Sequence, residues 1–300
     1  FGSTNFRQLE QIKLSSSDSE ARINVLGAEL SSFKYKKLEY IWQANPAVWG
    51  RHAPILFPIV GKLRHNSYTF QEKTYTMGQH GFARDRKFVV VDYSHTSVRL
   101  LLQADESTKA IYPFDFELEV TYSMQPDGIL VSYKVSNTQS TNPIWFGIGG
   151  HPGFNIPLDA SESLEDYELD FHNAALQRID VYPLVGGYVS KEKESLPISD
   201  GILGLREALF ENDALIMDVH APAKISVRSK KSGKGIGMSF SDFRWLGMWT
   251  KAPGAGFICI EPWNGIADTV DHDQQLETKW GINSLNAGES YSVSYDVNFY

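Results

Sequence analysis

Four stretches of this chain carry residue types suited to moving protons or gripping a polar ligand, and each sits where the backbone must turn. The first is Trp145-Phe-Gly-Ile-Gly-Gly-His-Pro-Gly-Phe154. His151 follows two glycines and precedes a proline and a third glycine. Glycine permits backbone geometry that a side chain forbids, and proline ends a strand ladder. The spelling predicts a strand that stops abruptly and presents an imidazole at a turn. Such an imidazole can exchange a proton near neutral pH. Its plainer reading is a histidine that hydrogen-bonds a loop. Metal ligation ranks below both, because no second histidine stands at ligand spacing.

The second stretch is Phe257-Ile-Cys-Ile-Glu-Pro-Trp-Asn-Gly265. Glu261 closes an apolar run ahead of Pro262. A carboxylate at a strand end beside an indole is partly desolvated, which raises its pKa and makes it a better base. The structural alternative is a glutamate satisfied by backbone N–H groups. Trp263 reads either as a core or rim aromatic or as a stacking platform for a sugar face. In the third stretch, Trp49 to Gly61, Arg51 precedes an apolar run broken by two prolines, so the segment is a loop or sheet edge. Its guanidinium suits sugar hydroxyls, a carboxylate or a phosphate, and equally a surface ion pair. The fourth, Met77-Gly-Gln-His-Gly-Phe-Ala-Arg-Asp-Arg86, offers His80 and Arg84, or simply a turn histidine and an arginine paired with Asp85. Together the four supply two histidines, an arginine and a glutamate. Acid–base chemistry needs such a set: a carboxylate to remove a proton and an imidazole to donate one.

The elements that must position these residues read as strands. Short alternating runs recur, among them Glu29 to Tyr35, Ser97 to Leu102, Phe116 to Tyr122, Ile129 to Val135, Gly235 to Phe240 and Ser290 to Val297. Pro126-Asp-Gly128 joins two of them as a hairpin turn. Long amphipathic helices are not evident. This density predicts an all-β chain, a large antiparallel β-sandwich with few short helices. Asp159 to Asp218 is less regular, and Leu203 to Phe210 within it is open between a short helix and a loop. No linker or composition shift divides the chain, so residues 1–300 are expected to form a single domain.

Composition removes several function classes. The net charge of -8 argues against a nucleic-acid surface, and the one compact basic run, Arg228 to Lys234, reads as an exposed hairpin turn. No run approaches the roughly 18–20 apolar residues of a membrane span. The opening residues Phe1-Gly-Ser-Thr-Asn5 lack a signal layout, so a cytoplasmic protein is expected. The single cysteine, Cys259, excludes an internal disulfide and reads as an inert core thiol. Zinc-finger spacing, dinucleotide and phosphate-loop glycine motifs and the nucleophile-elbow motif are all missing.

Arg51-His-Ala-Pro-Ile-Leu-Phe-Pro58, Gln79-His-Gly-Phe-Ala-Arg84, Gly149-Gly-His-Pro-Gly-Phe154 and Ile260-Glu-Pro-Trp-Asn264 together resemble the aldose 1-epimerase, galactose mutarotase-like superfamily, and within it the LacX-like subgroup. The motifs keep the family's order and span most of the chain. The resemblance implies a β-sandwich with a sugar groove, His151 as general acid and Glu261 as general base. It also implies that His80 and Arg51 hold the sugar, with Arg84 and Trp263 beside them. A sugar-contacting aspartate is implied too: Asp213 is the first choice and Asp242 its rival. Pro-Trp after the glutamate departs from the Thr-Gln usual in galactose mutarotases, which leaves the sugar open. The expected partner is a small sugar, a hexose or hexose phosphate, with no cofactor and no metal. Arg51, Lys62, Arg64 and Arg84 are the cations available to a phosphate. A non-catalytic sugar-binding module and a glycosidase, whose two carboxylates would leave both histidines idle, are the other readings. For the acid–base reading, His151 and Glu261 are expected to face each other across a groove one sugar ring wide.

Overall fold

The computed structural model describes residues 9–219, 223–251 and 253–300. Two antiparallel sheets dominate it, one of nine strands and one of eight, with a four-stranded sheet formed by residues 11–39. The nine-stranded sheet is assembled by plain alternation. In Phe116–Gln125, Phe116, Leu118, Val120 and Tyr122 are buried, while the residues between them are only partly covered. Gly128–Asn137 pairs with it in register from Gln125↔Gly128 to Phe116↔Asn137, across the expected hairpin turn. Ser290–Phe299 pairs on the other side, with Val293, Tyr295 and Val297 inward. Period-two burial of this kind marks a sheet with one face on the core.

The eight-stranded sheet is buried on both faces at its centre. Every residue of its strand Phe257–Asn264 is buried, so hydrophobic alternation is lost there. Trp245–Trp249 lies on one side of that strand. On the other side lie Ile148–Gly150 and, farther along, Gly153–Asn155. His151 and Pro152 occupy the break between these two short strands. The core fills the space between the sheets, as Phe154 against Phe299 illustrates, with ring centroids 6.2 Å apart.

Two readings of the sequence need correction. The segment from Asp159 to Asp218, which reads as less regular, is built into both large sheets. It gives Tyr167–Asp170 and Ile202–Gly204 to the larger sheet, and Arg178–Tyr182, Glu194–Pro197 and Leu215–Asp218 to the smaller. Strands this short hold too few alternations for a period to show. Leu203 to Phe210 divides between the end of a strand and a 3-10 turn at Glu207–Phe210. Glu261 is not at a strand end: Phe257–Asn264 runs through it and through Pro262. The Ile260 N–H donates to Pro152 O at 3.2 Å, on the side of the break. Pro262, two residues on, turns the position of its missing N–H to the same side, where no ladder partner stands opposite.

The basic run is an exposed turn, as expected, with Gly233 at φ +73°. Three of its four cations are paired: Arg228 with Glu168 and Asp170, Lys231 with Asp166, and Lys234 with Asp159. Among the described residues no helix is long and apolar enough to cross a membrane.

Candidate active site

His151 and Glu261 meet at the break in the smaller sheet. His151 Nε2 stands 3.3 Å from Glu261 Oε2. Both are buried, at 8% and 1% exposure. The expected gap of one sugar ring is therefore absent. The correction follows from the chemistry: the hydroxyl and ring oxygens of an anomeric centre are bonded to one carbon, so groups serving both must stand together.

Aromatic rings hold the imidazole in place. Trp49 stacks on it with centroids 5.1 Å apart and planes at 27°, and Trp249 meets it edge-on at 6.0 Å. The His80 ring stands perpendicular to it at 5.5 Å.

The three glycines around His151 serve close packing rather than unusual torsions, for none of them has a positive φ. A Cβ on Gly149 would lie 2.6 Å from the Trp263 ring, and one on Gly150 would lie 2.8 Å from the Tyr295 hydroxyl. On Gly153 it would lie 2.7 Å from Trp49. Gly247 stands directly opposite Glu261 and also admits Trp263, at 2.6 Å. Gly149 and Gly247 thus let the indole lie flat across the sheet. Side chains alternate along a strand, so Cys259, Glu261 and Trp263 project from one face.

His80 takes a left-handed backbone, φ +66°, and binds Gly61 twice. Its N–H donates to Gly61 O at 2.9 Å, and its ring Nδ1 accepts from the Gly61 N–H at 3.0 Å. A backbone N–H can only donate, so Nδ1 carries no proton and Nε2 does. Gly61 itself has φ +75°, and a Cβ there would lie 2.6 Å from Ala267.

These groups line a cavity of about 330 Å³. Of the residues expected at the site, His80, Arg84, His151, Asp213, Glu261 and Trp263 line it. Arg51 does not. Its Nη2 bonds Asp85 Oδ1 at 2.9 Å, which is the ion-pair reading of that arginine. Arg84 donates to Gln79 O at 2.7 Å and reaches Asp85 at 3.9 Å. Asp213, at φ +80°, is exposed at the cavity. Asp242 instead lies on a separate surface depression beside Glu119 and Ser292. Lys62, Gln79, Trp49 and Trp249 also line the cavity, as do Leu184, Gly187 and Ala214. Trp49 stood inside a motif already singled out. The last three come from the irregular middle segment, where no pattern marked them.

Burial dominates the electrostatics. It drives His151 down to about 3, with the positive charges of Arg84 and Arg51 adding to the effect. It drives Glu261 well above the ordinary carboxylate value, helped by the negative charge of Asp213. His80 falls well below the usual imidazole value for the same reason, with His151 next in effect. Uncharged forms are favoured throughout: neutral imidazoles and a protonated Glu261. The His151, Cys259 and Glu261 donor atoms all lie within 4.8 Å of one another, a grouping that could hold a metal ion.

The two-sheet antiparallel sandwich that carries this cavity is the fold of the galactose mutarotase-like proteins. A galactose mutarotase related enzyme from Lactobacillus acidophilus superposes with a TM-score of 0.92 at 36% identity, covering 97% of each chain. A galactose mutarotase-like protein from Lactobacillus casei superposes with a TM-score of 0.89 at 31% identity, covering 97% of this chain and 100% of the other. The chain belongs to the aldose 1-epimerase family, whose model matches residues 10–294. The plasmid LacX protein of Lactococcus lactis is 32% identical over 283 residues, 92% of this chain and 95% of that protein. Membership and fold together support a carbohydrate epimerase-like role.

Proposed function

We propose that the protein is an aldose 1-epimerase that interconverts the α and β anomers of a hexose. The observation that carries this reading is the 3.3 Å contact between His151 Nε2 and Glu261 Oε2, buried at one end of a sugar-sized cavity. Glu261 takes the proton from the C1 hydroxyl while His151 protonates the ring oxygen. The C1–O5 bond breaks and C1=O1 forms. Rotation about C1–C2 presents the other carbonyl face, and the reverse transfers close the ring. One proton enters and one leaves, so the pair needs a single proton between them.

In the empty cavity that proton rests on Glu261, as burial demands. Sugar hydroxyls donating to the carboxylate stabilise its charged form and shift the proton to His151. His80, fixed as an Nε2–H donor, is placed to bond a sugar oxygen. Trp263 supplies an apolar floor for the ring, and Asp213 accepts from hydroxyls at the cavity mouth. Exchange spectroscopy of α and β anomers over a panel of hexoses tests the reading. Catalysed exchange that survives both His151→Asn and Glu261→Gln overturns it.

One observation favours a second substrate class, a hexose phosphate. Lys62 and Arg84 line the same cavity. Arg51 is taken by Asp85, and Arg64 donates to His272 O at 2.8 Å. Lys62 thus remains for an anion, with Arg84 beside it already bonded to Gln79 O and 3.9 Å from Asp85. Phosphorylated hexoses in the same panel separate the two classes.

A further inference from the structure

The acid–base pair has a third neighbour that sugar chemistry does not use. Cys259 stands two residues before Glu261 and projects from the same face of the strand, under the break that carries His151. One donor atom from each of His151, Cys259 and Glu261 falls in a cluster no wider than 4.8 Å. His151 Nδ1 is a buried atom without a hydrogen-bond partner, and Glu261 Oε2 makes no hydrogen bond beyond the 3.3 Å approach of His151 Nε2. Buried polar atoms are normally satisfied, so an orphaned imidazole nitrogen and an under-satisfied carboxylate oxygen on the residues of one donor cluster point to a ligand. One sugar hydroxyl can satisfy part of this demand, but it gives the thiol no role.

Imidazole, thiolate and carboxylate form a mixed donor set that suits zinc and its thiophilic relatives and suits magnesium or calcium poorly. Donor atoms around a tetrahedral zinc stand about 3.5 Å apart. The cluster has to contract by roughly 1 Å to reach that spacing, within reach of small side-chain rotations. His151 and Glu261 line the cavity, which gives both the entry path and an open fourth position.

We propose that His151, Cys259 and Glu261 form a binding site for one thiophilic divalent cation of the zinc class, and that its occupancy excludes the sugar. On binding, the Cys259 thiol and the Glu261 carboxyl each release a proton to solvent and the metal bonds form to the freed lone pairs. No oxidant or reductant takes part. The blocking half of the proposal rests on the acid–base reading of the pair, whereas the binding half does not.

Cadmium titration of the full chain, followed through the ultraviolet thiolate-to-cadmium charge-transfer band, reads the site without any sugar chemistry. The expected result is a band saturating at one equivalent, lost in Cys259→Ser, with cadmium affinity falling at least about tenfold. His151→Asn is expected to weaken binding while the thiol remains. Zinc is expected to displace cadmium and to stop anomer exchange reversibly in the wild type but not in Cys259→Ser. No band in the folded wild type, or a band unchanged by His151→Asn, overturns the site. A normal band with zinc-insensitive exchange overturns the blocking half alone. A normal band with no exchange activity under any condition overturns the acid–base reading and leaves the metal site standing.

Discussion

At the residue scale, the protonation of His151 and Glu261 bears on the proposed chemistry and on stability. Removing either proton-transfer group by His151→Asn or Glu261→Gln is expected to slow anomer exchange by about 10²–10⁴-fold, read by polarimetry. The same residues impose opposite pH dependences on folding. Glu261 has a folded pKa raised above its ordinary 4.5. The native state therefore holds a proton that the unfolded chain has lost, and stability falls as pH rises from 4.5 towards the folded value. His151 has a folded pKa near 3 against an ordinary 6.5, so stability falls as pH drops from 6.5 towards 3. Glu261→Gln, neutral at every pH, is expected to melt above the wild type at neutral pH, by up to about 1.4 kcal/mol for each unit of pKa shift crossed. Thermal melts of both proteins from pH 5 to 8 check this, and parallel curves contradict it.

At the element scale, the site depends on how closely an indole can approach two strands. Trp263 lies between Gly149 and Gly247, each leaving only 2.6 Å for a side chain. Gly247→Ala is expected to destabilise the fold by about 1–3 kcal/mol through overpacking, read by urea unfolding. If Trp263 is the sugar floor proposed above, the substitution is also expected to raise KM more than it lowers kcat, because the tilted indole carries no proton. Gly204→Ala, at the exposed end of the edge strand Ile202–Gly204, is the control: a Cβ there meets nothing within 4 Å and the backbone is not left-handed.

At the scale of the whole molecule, a buried ion pair ties the segment after strand Phe257–Asn264 to the loop that fixes His80. Lys279 Nζ lies 3.2 Å from Asp268 Oδ1, and both residues are buried. Asp268 Oδ2 accepts from the Arg64 N–H at 2.7 Å, and the Asp268 N–H donates to Lys62 O at 2.9 Å. Gly61, next to Lys62, makes both bonds to His80. Lys279→Met is expected to cost up to about 3–5 kcal/mol by leaving the buried Asp268 carboxylate with only His272, 3.2 Å away, and the Arg64 N–H, and Asp268→Asn added to it is expected to recover much of that loss. Denaturant unfolding of the single and double variants measures the coupling, and equal losses in both would show none.

The sequence alone determined the strand-rich class, since alternation in runs such as Phe116 to Gln125 expresses one buried face. It also marked His80, His151 and Glu261, because glycine and proline around a polar residue leave a visible spelling. The seven short strands between Asp159 and Asp218 stayed hidden, as did the cavity residues of that segment. Only the tertiary structure decided that His151 and Glu261 touch, that Asp213 and not Asp242 reaches the cavity, and that Arg51 is spent on Asp85. It alone showed that the glycines make room for indoles and hydroxyls, and that Cys259 stands beside the acid–base pair. The reason is physical. Local periodicity is written along the chain, whereas distances between residues on separate strands are set by sheet register and packing, which no single stretch encodes.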